Sequence, residues 1–244
     1  MSDIKVYWTP EAKVGVEESN ILFSEPESLF KYVVENRKWC PYKTCPGFID
    51  MVKNTFVVKA PYDITAEFDR DTMKMQVNQG QFVYDRFCAN RLPAIHFNDP
   101  VLATLPPRYV MWSDDEVEIQ VLPMMLSKEP VRWNIIPGTF NISKWIRPID
   151  FSFELHDGQD RITIKRGEPL FCIKFVTKDN SKVTLERVSF DGDIDNALMS
   201  CIMVKERVTN LPLVVLYDMA KDFVNLFKGK KKRERSKCPF HFWK

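Results

Sequence analysis

The stretch 135–177, IIPGTFNISKWIRPIDFSFELHDGQDRITIKRGEPLFCIKFVT, constrains the fold more than any other part of the chain. It reads strand, turn, strand, turn, strand. Residues 151–155 and 162–165 alternate apolar and polar side chains around a polar turn at 156–161, the period-two pattern of half-buried strands. A corner, Gly167-Glu168-Pro169, then leads into the apolar run 170–176. Residues 116–122 alternate in the same way, with Val117, Ile119 and Val121 on one face and Glu118 and Gln120 on the other.

Further short strands are expected at 3–8, 54–59, 64–69, 95–98, 109–113, 131–135 and 183–189. Residues 73–77 and 81–84 flank Gln79-Gly80 as a hairpin, and 102–107 reads as a proline-bounded connection. An amphipathic helix is expected within 22–36, with Ser24 as N-cap and Glu27 completing a capping box. After residue 190 the period changes to that of helices, over 193–208 and 213–227, broken by Asn210-Leu211-Pro212. In the second of these the apolar stripe runs through Leu213, Leu216, Tyr217, Ala220, Phe223, Val224 and Phe227.

About ten to twelve short strands followed by two helices define a mainly β protein. The expected architecture is a jelly-roll-like β-sandwich or barrel, with one N-terminal helix and two C-terminal helices packed on it. Residues 1–190 form the β-rich domain, 191–228 a helical appendix on the same core, and 229–244 a basic tail ending in aromatic residues.

Composition narrows the function classes. A chain of 244 residues with 45% hydrophobic and 28% charged content is long enough to bury a substantial core. Only 8 glycines speak against Gly-rich phosphate loops. The net charge of +2 hides an asymmetry: seven basic residues and one acid between 228 and 237 give +6, which leaves about −4 for the remainder. Nucleic acid could therefore be met only through the basic tail. No apolar run is long enough for a transmembrane helix. The start, MSDIKVYWTP, lacks a signal-peptide pattern, so the expected location is the cytoplasm of a host cell or a virion. Six cysteines are expected to be reduced, with Cys88, Cys172 and Cys201 as small buried hydrophobes.

Several segments carry a family likeness. Cys45-Pro46-Gly47-Phe48 and the run 53–63 (KNTFVVKAPYD), together with 137–148 (PGTFNISKWIRP) and Arg166-Gly167-Glu168-Pro169-Leu170, resemble an uncharacterised protein family of tailed phages of marine cyanobacteria and of some proteobacteria. The likeness spans Val6 to about Thr177. The Gly-Glu-Pro corner also looks like the turn of cupin-type jelly rolls. The resemblance implies a phage-like origin and a jelly-roll-like core, and it carries over no catalytic residue.

A cupin-like core invites a metal site of two histidines and a carboxylate. The three histidines, His96, His156 and His241, form no His-x-Asp or His-x-Glu pair. His96 stands three residues before Asp99, and adjacent His156 and Asp157 would point to opposite faces of a strand. A structural zinc site has a better donor set: Cys40 and Cys45 in the Pro-rich knuckle 39–48, with Cys238 and His241 at Cys-x-x-His spacing. The alternative is that both knuckle cysteines pack under their loop and the terminal aromatics dock as an apolar anchor.

Other chemistry is weaker. No Gly-x-Ser-x-Gly occurs, and three histidines leave little choice for a triad. Asp114, Asp115, Glu116 and Glu118 read as a solvated turn rather than a carboxylate pair. Trp112, Trp133, Trp145, Phe151, Phe153 and Phe171 either line a small-molecule cavity or fill a core. Arg147, Arg166 and Glu168 flank the strand corners where a site would form.

Two functional readings stand. The first is a non-enzymatic binding or structural module acting through a protein partner or self-association. Its contact would be the tail, through Lys230, Lys231, Lys232, Arg233, Phe240, Phe242 and Trp243. The second is a cupin-like oxygenase or isomerase with an atypical ligand set.

Overall fold

In the computed structural model the described residues are 3–11, 22–36, 40–69, 71–72, 74–78, 94–97, 101–127, 132–207 and 211–236. They form a β-sandwich with helices on both outer faces. Strands β1 (Ile4–Pro10), β7 (Val101–Ser113), β9 (Trp133–Ile135), β11 (Arg147–Leu155) and β14 (Val183–Arg187) make the first sheet, in the order β14-β1-β7-β11-β9, and β6 (Ala94–Phe97) also pairs with β7. The second sheet runs β10 (Gly138–Asn141), β8 (Val117–Leu122), β13 (Pro169–Thr177), β3 (Thr55–Lys59), β2 (Glu27–Ser28). A third sheet runs β12 (Arg161–Ile164), β4 (Ile64–Asp69), β5 (Lys74–Asn78).

The chain is mainly β, as the alternation predicts, and the sheets form a sandwich rather than a closed barrel. One pairing differs from an all-antiparallel jelly roll: β1 and β14 are parallel, from Ile4 opposite Val183 to Trp8 opposite Arg187.

Alternation explains where each strand sends its side chains. Val6 and Trp8 of β1 and Tyr109 and Met111 of β7 enter the sandwich core, where they meet Ile119 of β8 and Phe171, Ile173 and Phe175 of β13. The intervening Tyr7, Val110 and Trp112 are buried too, but on the opposite face, under the C-terminal helices. On the second sheet, Val57 and Cys172 face outward beneath the helix α1 (Leu29–Asn36). Strands covered on both faces read as continuous apolar runs such as Tyr109-Val110-Met111-Trp112, which masks their period.

Three expectations need correction. The helix near the N-terminus begins at Leu29, after β2, so Ser24 does not cap it; the Ser24 carbonyl instead accepts a hydrogen bond from the Tyr109 hydroxyl at 3.0 Å. The knuckle at Cys40 is a short 3-10 turn, Pro41–Thr44, followed by α2 (Pro46–Val52). Residues 102–107 belong to one 13-residue strand, β7. Its register against β11 shifts between Ile149 and Phe151, opposite the stretch that holds Pro106 and Pro107, because proline offers no ladder donor. The second arm of the hairpin expected at 81–84 lies outside the described residues.

The Gly-Glu-Pro corner has a structural cause. Gly167 sits at φ +82°, in the left-handed region that glycine adopts at low cost. Its N–H donates to the Ala60 carbonyl, and the Ala60 N–H donates to the Glu168 carbonyl, each at 2.8 Å. The Glu168 carboxylate accepts from the Lys165 N–H at 2.6 Å and from Arg132 at 3.0 Å. The corner thus locks β13 to the segment after β3.

Candidate functional site

The C-terminal helices α3 (Gly192–Arg207) and α4 (Leu213–Ser236) form a pair on the outer face of the first sheet. Asp191 starts α3 as its N-cap: its Oδ1 accepts from the Asp193 and Ile194 N–H groups at 3.1 and 3.0 Å. Leu198 and Cys201 of α3 and Ala220, Val224 and Phe227 of α4 fill the space above Trp112 and Trp145. Phe227 meets Trp112 edge-on with ring centroids 5.4 Å apart, and Trp112 stacks on Tyr7 at 5.7 Å. The Tyr217 hydroxyl accepts the Asn141 N–H at 2.8 Å, which ties α4 to the end of β10.

The basic run is not a free tail. Helix α4 continues without a break to Ser236, past residue 228, where the basic tail was expected to begin. Nothing in Lys228–Ser236 interrupts a helix except Gly229, and the long basic side chains are good helix formers. Four of their heads are held by the body. Lys228 donates to the carbonyls of Asp114 and Ser143 at 3.1 and 3.3 Å. Lys230 pairs with Asp193 at 3.0 Å. Lys231 is buried and bonds both Asp191 and Glu234. Arg235 pairs with Asp114 and lies over the Tyr7 ring, 4.4 Å from its centroid.

The electrostatics follow from this geometry. Burial pushes the Lys231 pKa down, but the hydrogen bonds that its ammonium donates to Asp191 and Glu234 outweigh it and leave it raised. Burial lowers the pKa of Lys228, only partly offset by Asp114 and Asp115. Asp114 of the acidic turn and Arg235 of the basic run, distant in sequence, are therefore each other's counterions. Glu116 completes the set by pairing with Lys144 at 3.1 Å.

The other side of the pair is exposed and apolar. Val215, Met219, Phe223 and Leu226 recur at helical spacing along α4, and Leu226 is 64% exposed. Met199 and Met203, four residues apart, are exposed on α3. Phe223 and Leu213, assigned by periodicity to the buried stripe, lie outside it.

The remaining candidates are dispersed. Cys40 is buried beneath α1, whereas Cys45 is exposed at the start of α2. Their zinc partners Cys238 and His241, and the contact residues Phe240, Phe242 and Trp243, lie outside the described residues. Among the described residues no group of three or more His, Cys, Asp or Glu side chains converges. His96 lies in β6, and His156 follows β11, where it is 3.3 Å from Asn134. Arg147 pairs with Asp150 at 2.8 Å and covers the Phe140 ring.

The aromatics proposed as a cavity lining are packed on one another or on the helices. Phe151 stacks on Phe153 at 4.5 Å and on Phe171 at 6.0 Å, and Trp133 meets Phe151 edge-on at 5.2 Å. Cys172 and Cys201 are fully buried, and burial raises each thiol to about 11. They have the character of packing groups, not nucleophiles. No helix among the described residues is long and apolar enough to cross a membrane. No family model matches this chain, and neither a curated protein nor a solved structure matches it.

Proposed function

We propose that this protein is a non-enzymatic binding module that engages a protein partner through the outward face of its C-terminal helix pair. The observation that carries the reading is the contrast between the two sides of α4. One side is fastened to the sheet by Tyr217, Phe227, Lys228, Lys231 and Arg235; the other leaves Met219, Phe223 and Leu226 in solvent. Ordering a helix so firmly while leaving a row of large apolar side chains uncovered is costly unless something covers them. A phage origin fits the segments at 45–63, 137–148 and 166–170 and is part of the proposal.

The basic cluster supports a protein partner over nucleic acid. At least four of its cations already hold acidic or carbonyl groups of the body, which leaves few of them for phosphate. So few phosphate contacts give weak, salt-sensitive binding. The test is affinity capture from the native host with the full chain and with Leu226→Asp. The reading expects a protein that the wild type recovers and the variant loses, with Lys232→Ala retaining it. Equal recovery by wild type and Leu226→Asp would overturn it.

A further inference from the structure

We draw no further inference here: the strongest candidate, the exposed apolar face of the C-terminal helix pair that carries Met199 and Met203 of α3 and Met219, Phe223 and Leu226 of α4, belongs to the site already described, and nothing in the structure shows what covers it.

Discussion

Asp191 and Lys231 are 40 positions apart, yet one carboxylate serves both helices of the C-terminal pair: Oδ1 caps α3, and Oδ2 receives the Lys231 ammonium from α4. The two roles separate by substitution. Asp191→Asn keeps the cap and loses the charge, whereas Asp191→Ala loses both and leaves a buried ammonium with Glu234 alone. Asp191→Ala is expected to cost about 2–4 kcal/mol in urea unfolding, and Asp191→Asn roughly half of that. Lys231→Met, which removes the buried charge and keeps the packing volume, is expected within about 1 kcal/mol of wild type. A larger loss for Lys231→Met than for Asp191→Ala would reverse this account.

Stability should fall at alkaline pH because of two thiols. Burial raises Cys172 and Cys201 to about 11 in the folded chain, while the unfolded chain ionises near 8.5. A raised folded pKa gives stability that is complete below the unfolded value and lost as pH climbs toward the folded one. Each thiol therefore costs about 1–2 kcal/mol between pH 8 and pH 10. Urea midpoints at the two pH values measure the drop, and the Cys172→Ala/Cys201→Ala double variant should show a shallower one. An unchanged slope would locate the pH dependence elsewhere. In the native state Cys45 should alkylate readily and Cys172 and Cys201 should not.

Asn54 holds three strands together from a left-handed backbone position, φ 55°. Its Nδ2 donates to the Ser181 carbonyl at 2.8 Å, its Oδ1 accepts the Val183 N–H at 2.9 Å, and its own carbonyl accepts the Phe175 N–H at 2.9 Å. Asn54→Ala removes both side-chain bonds and strains the backbone, for an expected loss of about 2–4 kcal/mol. Asn54→Gly removes the same bonds without the strain and should lose about 1 kcal/mol less. Thermal unfolding of the pair checks the order; alanine proving the milder change would show that backbone strain is absent.

The three turn and strand glycines give a sharper contrast. Gly167 and Gly158 have φ of +82° and +72°, and Gly138 has no positive φ; nothing crowds a Cβ at any of them. Alanine should therefore cost about 1 kcal/mol at Gly167 and Gly158 from backbone strain alone. At Gly138, in β10, it should be neutral or stabilising by about 0.5 kcal/mol. Differential scanning calorimetry on the three single variants measures this, and equal shifts at all three would contradict it.

These residues also show what the sequence could and could not reveal. The alternation of β8 and β11 and the Gly167 corner were legible, because each is a local pattern with a local cause. The sides of α4 were not. Apolar residues occupy more than half of its circumference, so periodicity cannot say which side the sheet takes, and Phe223 was assigned to the wrong one. The fate of the basic run was hidden for another reason. Its counterions, Asp114, Asp191 and Asp193, are contributed by other elements, and no spacing rule links an acidic turn to a helix more than a hundred residues later. Pro106 and Pro107 make 102–107 look like a proline-bounded connection, though one strand with a register irregularity runs through them.

Leu226 and Phe227 are adjacent and have opposite fates: Leu226 is 64% exposed on the ridge, and Phe227 is 3% exposed against Trp112. Their substitutions should separate binding from folding. Leu226→Asp is expected to leave the unfolding free energy within about 0.5 kcal/mol of wild type, since Leu226 lies largely in solvent. Phe227→Ala opens a cavity beneath α4 and should cost about 3–5 kcal/mol. A chain ending at Leu226 should lose at least as much, because it also lacks Lys231 and Arg235, which fasten α4 to Asp191 and Asp114. Removing everything from Phe227 onward therefore damages the core and is a poor probe of association. Tryptophan fluorescence during urea unfolding follows all three, with Trp112 as a reporter in the region that loses its cover. A truncated chain as stable as the full one would mean that the last three turns of α4 add nothing to the fold and that the pairs with Asp191 and Asp114 do not fasten it.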